Sequence, residues 1–79
     1  MTKSEIGKTA GKVWQCLAKN GNVSLTELPR KVKADPKLVQ EAVGWLARED
    51  KVEIADLGKI NYVALTDTEL LPALVSFLV

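Results

Sequence analysis

The sequence predicts an α+β domain in which three helices precede a β-hairpin and a fourth helix follows it. Three observations carry this. Apolar residues recur at helical spacing as far as residue 48. The period then changes to two across residues 51–65. Two strong stops, Asn20-Gly21 and Asp35-Pro36, divide the helical part.

Thr2 and Glu5 have capping-box spacing and open the first helix near Lys3. Ile6, Ala10, Val13 and Leu17 recur at i, i+4, i+7 and i+11, one buried stripe. Lys8, Lys12, Gln15 and Lys19 form the wet stripe opposite. Gly7, Gly11 and Ala18 share a flank with Trp14, where a neighbouring backbone can come close. Cys16, on the border of the helix, is expected to be a small buried side chain. Gly21 stops the helix by taking a left-handed conformation.

Asn22-Val23 is short and extended. Two starts fit the second helix. Ser24 and Glu27 repeat the capping-box spacing, and capping from Thr26 instead would put Pro29 in the first turn, where proline is tolerated. From either start the helix runs to about Val32 and buries Leu25, Leu28 and Val32. Asp35 precedes a proline, so it leaves the helical region; it then caps the third helix, with Pro36 at the first position. That helix runs to about Asp50. Leu38, Val39, Ala42, Val43 and Leu46 form its buried stripe, and Lys37, Gln40, Glu41, Gly44 and Arg48 lie opposite. Trp45 falls on the border, where it either packs as a core-edge residue on Tyr62 of the hairpin or, beside the shallow notch at Gly44, offers an aromatic to a partner.

Residues 51–55 alternate, and so in part do residues 60–65, with Asp56-Leu57-Gly58-Lys59 as the turn between them. Thr66 and Glu69 give a third capping-box spacing, and Pro72 makes the last helix kinked or short. Two helices joined by a tight turn form a helix-turn-helix, and a hairpin directly after them is a wing. The predicted fold is a winged helix-turn-helix: a three-helix core, a two-stranded wing, a short strand after the first helix and an extra C-terminal helix. Residues 1–65 make the domain. Residues 66–79 make an apolar helix packed on the core or on a dimer partner.

Composition bounds the chemistry. A chain of 79 residues, 47% hydrophobic and 27% charged, is one globular domain at most. A domain this short buries only ~60% of its unfolded surface, so self-association is one route to stability. With one cysteine and no histidine there is no internal disulfide, no two-His zinc spacing, and no Ser-His or Cys-His pair. No acid pair or Gly-rich phosphate loop stands out, so the chain reads as neither an enzyme nor a holder of a cofactor, a metal or a small-molecule ligand. The longest apolar run is about half of the roughly 20 residues a membrane span needs, and no signal-peptide pattern opens the sequence. A reducing cytoplasm is the expected compartment, with no membrane partner.

The net charge of +1 conceals an asymmetry. Residues 1–48 carry nine Lys/Arg against four acids, and residues 49–79 carry two against six. A basic front half suits a phosphate-facing surface.

The stretches "IGKTAGKVWQCLAKNGNVSLTEL", "LVQEAVGWLAREDKVEI" and "YVAL" resemble a family of short winged-helix proteins of unknown function from bacteria and archaea. The family's pattern is an I-G-x-T-A-G-x-V/I-W opening and a G-W-L-A-R-E-x-K-I/V stretch. The resemblance covers about residues 5–65. It implies the winged-helix fold and a DNA-binding role, and it brings no target and no catalytic residues. Residues 66–79 lie outside it, and Pro29 departs from its more helix-friendly pattern.

Two functions compete. In the first, the third helix enters the major groove of double-stranded DNA and the wing touches the neighbouring backbone. Gln40 pairs with adenine and Arg48 with guanine, while Arg30, Lys31, Lys33, Lys37 and Lys59 neutralise phosphates. Such a protein is a transcription-related or nucleoid accessory factor. Glu41, Gly44 and the acidic wing residues Glu53 and Asp56 oppose tight, specific readout. In the second, the fold is a protein-interaction module. Its homodimer contact is made by Leu71, Val75, Phe77 and Val79 of an apolar tail too large for its own domain to cover.

Overall fold

The computed structural model describes residues 2–78; within the last helix it describes the side chains through Leu70 and those of Pro72 and Val75. The elements run α1 (Lys3–Asn20), β1 (Val23–Ser24), α2 (Leu28–Val32), α3 (Pro36–Arg48), β2 (Val52–Leu57), β3 (Ile60–Leu65) and α4 (Asp67–Leu78). The architecture is a winged helix: helices packed on a three-stranded antiparallel sheet, with a C-terminal helix added.

α1 begins where its capping box requires. Thr2 Oγ1 accepts from the Glu5 amide at 3.1 Å, and the Glu5 carboxylate reaches back to the Thr2 amide. It ends at Gly21, whose φ of 76° suits glycine and whose amide donates to the Leu17 carbonyl. The buried stripe is Thr9, Ala10, Val13 and Leu17; Ile6, expected inside, is only half-buried near the open end of the helix. Cys16 is half-buried, packed against the core.

Neither expected cap starts α2. Ser24 pairs with Tyr62 in the sheet, and its hydroxyl lies 3.4 Å from that of Thr26. The chain makes a turn there, with the Glu27 amide donating to the Ser24 carbonyl. α2 then opens at Leu28 without a side-chain cap, and Pro29 sits in its first turn, as capping near Thr26 would also have required. It lasts five residues, buries Leu28 completely, and ends at Lys33 in the left-handed conformation (φ 56°). Leu25 and Val32 are only partly buried against the core.

Asp35 caps α3, accepting from the Lys37 amide at 2.8 Å, and Pro36 takes the first position. Val39, Ala42, Val43 and Leu46 are buried, with Leu38 half-buried beside them. α3 stops at Arg48, two residues earlier than the periodicity predicts, because Asp50 turns left-handed (φ 58°). That turn brings the Lys51 amide onto the Leu46 carbonyl and sends the chain into the wing.

The sheet order is β1-β3-β2. The short strand after α1 therefore joins the wing, pairing Val23 with Val63 and Ser24 with Tyr62. The hairpin loop is tighter than predicted. Asp56 pairs with Asn61 and Leu57 with Ile60, which leaves Gly58 (φ 70°) and Lys59 as a two-residue turn. The core lies between α1, α3 and the sheet, with Val13, Leu17, Leu28, Val39 and Val63 fully enclosed. Each such side chain contributes about 1.5–3 kcal/mol by leaving water.

α4 runs through Pro72 instead of stopping at it. Its start differs from a capping box: the Thr66 hydroxyl donates to the Asp50 carbonyl at 2.8 Å, and Glu69 accepts from Trp14 Nε1 at 3.0 Å. That bond joins α4 to α1 across 55 positions of sequence. Among the described residues, no helix is long and apolar enough to cross a membrane, and no cluster of His, Cys, Asp or Glu has the grouping of a metal site.

Candidate nucleic-acid interface

The amphipathic pattern of α3 fixes which of its residues meet solvent. With Val39, Ala42, Val43 and Leu46 buried, the residues on the far side, Lys37, Gln40, Glu41, Gly44 and Arg48, are all exposed. Gln40, Glu41, Gly44 and Arg48 border one shallow hollow of about 340 Å³, together with Trp45 and Ile6 of α1. Among the described residues, the one ion pair is Arg30 with Glu27 at 3.8 Å. Lys37 and Arg48 are therefore uncommitted, and so is Glu41, whose charge opposes a phosphate on the same face. The amide at the start of α3 is already bonded to Asp35, so the helix N-terminus offers less to an anion than a free one would.

The other candidate phosphate contacts spread over the surface. Arg30 is exposed and spends its charge on Glu27. Lys33 is the exposed, left-handed residue after α2. Lys59 stands at the tip of the wing. Lys31 faces a groove between α1 and α2 whose other walls include Lys12 and Lys19, two cations absent from the expected set. Their i, i+7 spacing on one helix was the available signal, and their place beside α2 was not visible in it.

One face of the wing is apolar near its tip. Register places Leu57 opposite Ile60 and Ala55 opposite Tyr62 on one face, and Leu57 is 65% exposed. Treating Asp56 and Leu57 as turn residues hid that face. Trp45 is not set against Tyr62 as expected. It is 46% exposed and borders a groove with Gly7, Ala10, Gly11 and Trp14, whereas Tyr62 borders a different hollow beside β1. The ring thus lies on the side of α3 that faces α1 and not toward Tyr62. In α4, Val75 is exposed; the side chains of Leu71 and Phe77, and Val79 altogether, lie outside the described residues.

Comparison with known proteins agrees with this geometry. The uncharacterized protein MJ1608 of Methanocaldococcus jannaschii is 43% identical over 51 residues, which cover 61% of this chain and 71% of that one. The solution structure of protein BT2368 from Bacteroides thetaiotaomicron superposes with a TM-score of 0.74 at 40% identity, covering 82% of this chain and 79% of that one. The antimony-specific transcriptional repressor AntR shares the fold at a TM-score of 0.68 and 22% identity, over 98% of this chain and 79% of that one. Residues 1–65 match a family described as a winged helix-turn-helix domain, DUF2582, and the chain belongs to that family.

Proposed function

We propose that the protein is a DNA-binding winged-helix protein, a transcription-related or nucleoid accessory factor, that lays α3 in the major groove. The observation that carries this is the exposed face of α3, where Lys37, Gln40 and Arg48 stand free of intramolecular ion pairs. Gln and Arg have the donor and acceptor geometry to meet adenine and guanine edges, and Lys37 is placed for phosphate. Glu41 and Gly44 within that face, and Glu53 and Asp56 in the wing, keep the affinity low and mostly independent of sequence. Fluorescence anisotropy with a labelled duplex tests it. Binding at a Kd of roughly 10⁻⁴–10⁻⁶ M at physiological salt, tightening as salt falls, is expected. The Gln40→Ala/Arg48→Ala variant is expected to bind more weakly. Absence of binding at low salt overturns the proposal.

A second function is favoured by the exposed apolar residues Trp45, Leu70 and Val75, which point to a protein-interaction surface and a homodimer. A dimer would present two α3 helices to one duplex and raise a weak affinity by avidity. Sedimentation of the pure protein separates the possibilities: a monomer at high micromolar concentration contradicts the dimer.

A further inference from the structure

The larger share of the unpaired positive charge is not on α3. Lys8, Lys12, Gln15 and Lys19 are all exposed on α1. They fall within about 60° of one another around the helix and span about 16 Å along it. Lys12, Gln15, Lys19 and Asn20 wall a groove of about 460 Å³, and Lys31 of α2 closes it from the other side. Among the described residues, no carboxylate borders this groove. The one acid of α1, Glu5, is held in the capping box, and Glu69, which approaches its other flank, is taken by the Trp14 indole. Beyond Asn20 and Lys31 the groove continues into a polar hollow bordered by Asn22, Thr26 and Tyr62, whose one acid is Glu27, the partner of Arg30. By contrast, the exposed face of α3 sets Glu41 against Lys37 and Arg48, and the wing sets Glu53 and Asp56 against Lys59.

Like charges held this close without intramolecular counter-charge repel one another; the negative charge of a polyanion relieves that repulsion, and the counterions it gives up on binding favour the complex further. Groove shape, the exposed Gln15 amide and the absence of carboxylates match a phosphate-bearing strand, while the Asn20 amide is already bonded to the Cys16 carbonyl. We propose that the groove between α1 and α2 is a phosphate-binding surface, occupied by the phosphodiester backbone of duplex DNA and separate from the base-facing side of α3. This rests on the protein being a DNA binder, and it assigns the main electrostatic anchor to Lys12, Lys19 and Lys31.

The test compares two variants of the full chain that lose equal charge: Lys12→Gln/Lys19→Gln in the groove, and Lys3→Gln/Lys51→Gln outside it. Anisotropy titrations of a labelled duplex over a series of KCl concentrations give the salt slope for each. The groove variant is expected to lose about 1.8 from the slope, about 0.9 for each phosphate contact. Across a fourfold rise in salt its affinity then falls about 12-fold less than that of the wild type. The outside variant should keep most of the slope, and Lys12→Arg/Lys19→Arg should restore it. All substituted positions are exposed, and circular dichroism verifies that each variant is folded. Equal slopes for the two Gln variants overturn the groove and leave DNA binding by α3 standing. No binding by the wild type overturns both. Tighter, groove-dependent binding of a single-stranded oligonucleotide overturns the duplex as occupant.

Discussion

Gly7, Gly11 and Gly44 each lie in the body of a helix, and a methyl group added at any of them meets nothing within 4 Å. Packing inside the chain does not call for glycine there, so each costs about 0.5–1 kcal/mol of helix stability relative to alanine. Gly44→Ala is therefore expected to raise the melting temperature, by about 4–8 °C per kcal/mol for a domain of this size. Gly58 behaves in the opposite way. Its φ of 70° is one an L side chain rarely adopts, and Gly58→Ala is expected to cost about 1–2 kcal/mol despite open space around it. Thermal melts followed by circular dichroism check both; a lower melting temperature for Gly44→Ala would show that something fills that space. The bond from Trp14 to Glu69 makes a third residue-scale prediction. Glu69→Ala should lower stability by on the order of 1 kcal/mol, since the bond is part-buried and charge-assisted, and should change the tryptophan emission. The capping residues Thr2 and Asp35 were legible in the sequence because a cap is a local interaction. The Trp14–Glu69 pair was not, because nothing local links residues 55 positions apart.

At the scale of elements, the sequence read well wherever local chemistry and tertiary packing agree. The boundaries of α1 and the start of α3 agree, since cap, proline and apolar stripe coincide. The start of α2 does not. Ser24 and Glu27 have capping spacing, but pairing of β1 with β3 withdraws Ser24 into the sheet. The wing turn shifted for a similar reason: cross-strand pairing carries Asp56 and Leu57 further along the ladder than their turn-like neighbourhood suggests. Trp45 was placed on Tyr62 because a period within α3 fixes its position on the border and not the neighbouring element it faces. For α4 the expected outcome concerns self-association. Val75 is exposed, so Val75→Lys should leave the fold intact by circular dichroism. If α4 pairs two copies, the same change should convert a dimer to a monomer in sedimentation, and an unchanged sedimentation coefficient would speak against that role.

For the molecule as a whole, the imbalance of charge between the two halves of the sequence foretold a basic surface without its address. Folding divides the cations: Lys37 and Arg48 go to α3, Lys59 to the wing tip, and Lys12, Lys19 and Lys31 to the groove between α1 and α2. A linear count cannot separate these groups, because the groove is made by two helices and the face by one. The function proposed for the molecule depends on α3 meeting duplex DNA through its exposed face. The most direct measurement is a titration of ¹⁵N-labelled protein with a short duplex at low salt, followed by amide chemical shifts. Contact through this face predicts salt-sensitive shifts at Lys37, Gln40, Gly44 and Arg48, with weaker ones at Gly58 and Lys59. Shifts that leave residues 37–48 unmoved, or the absence of any shift, would contradict it.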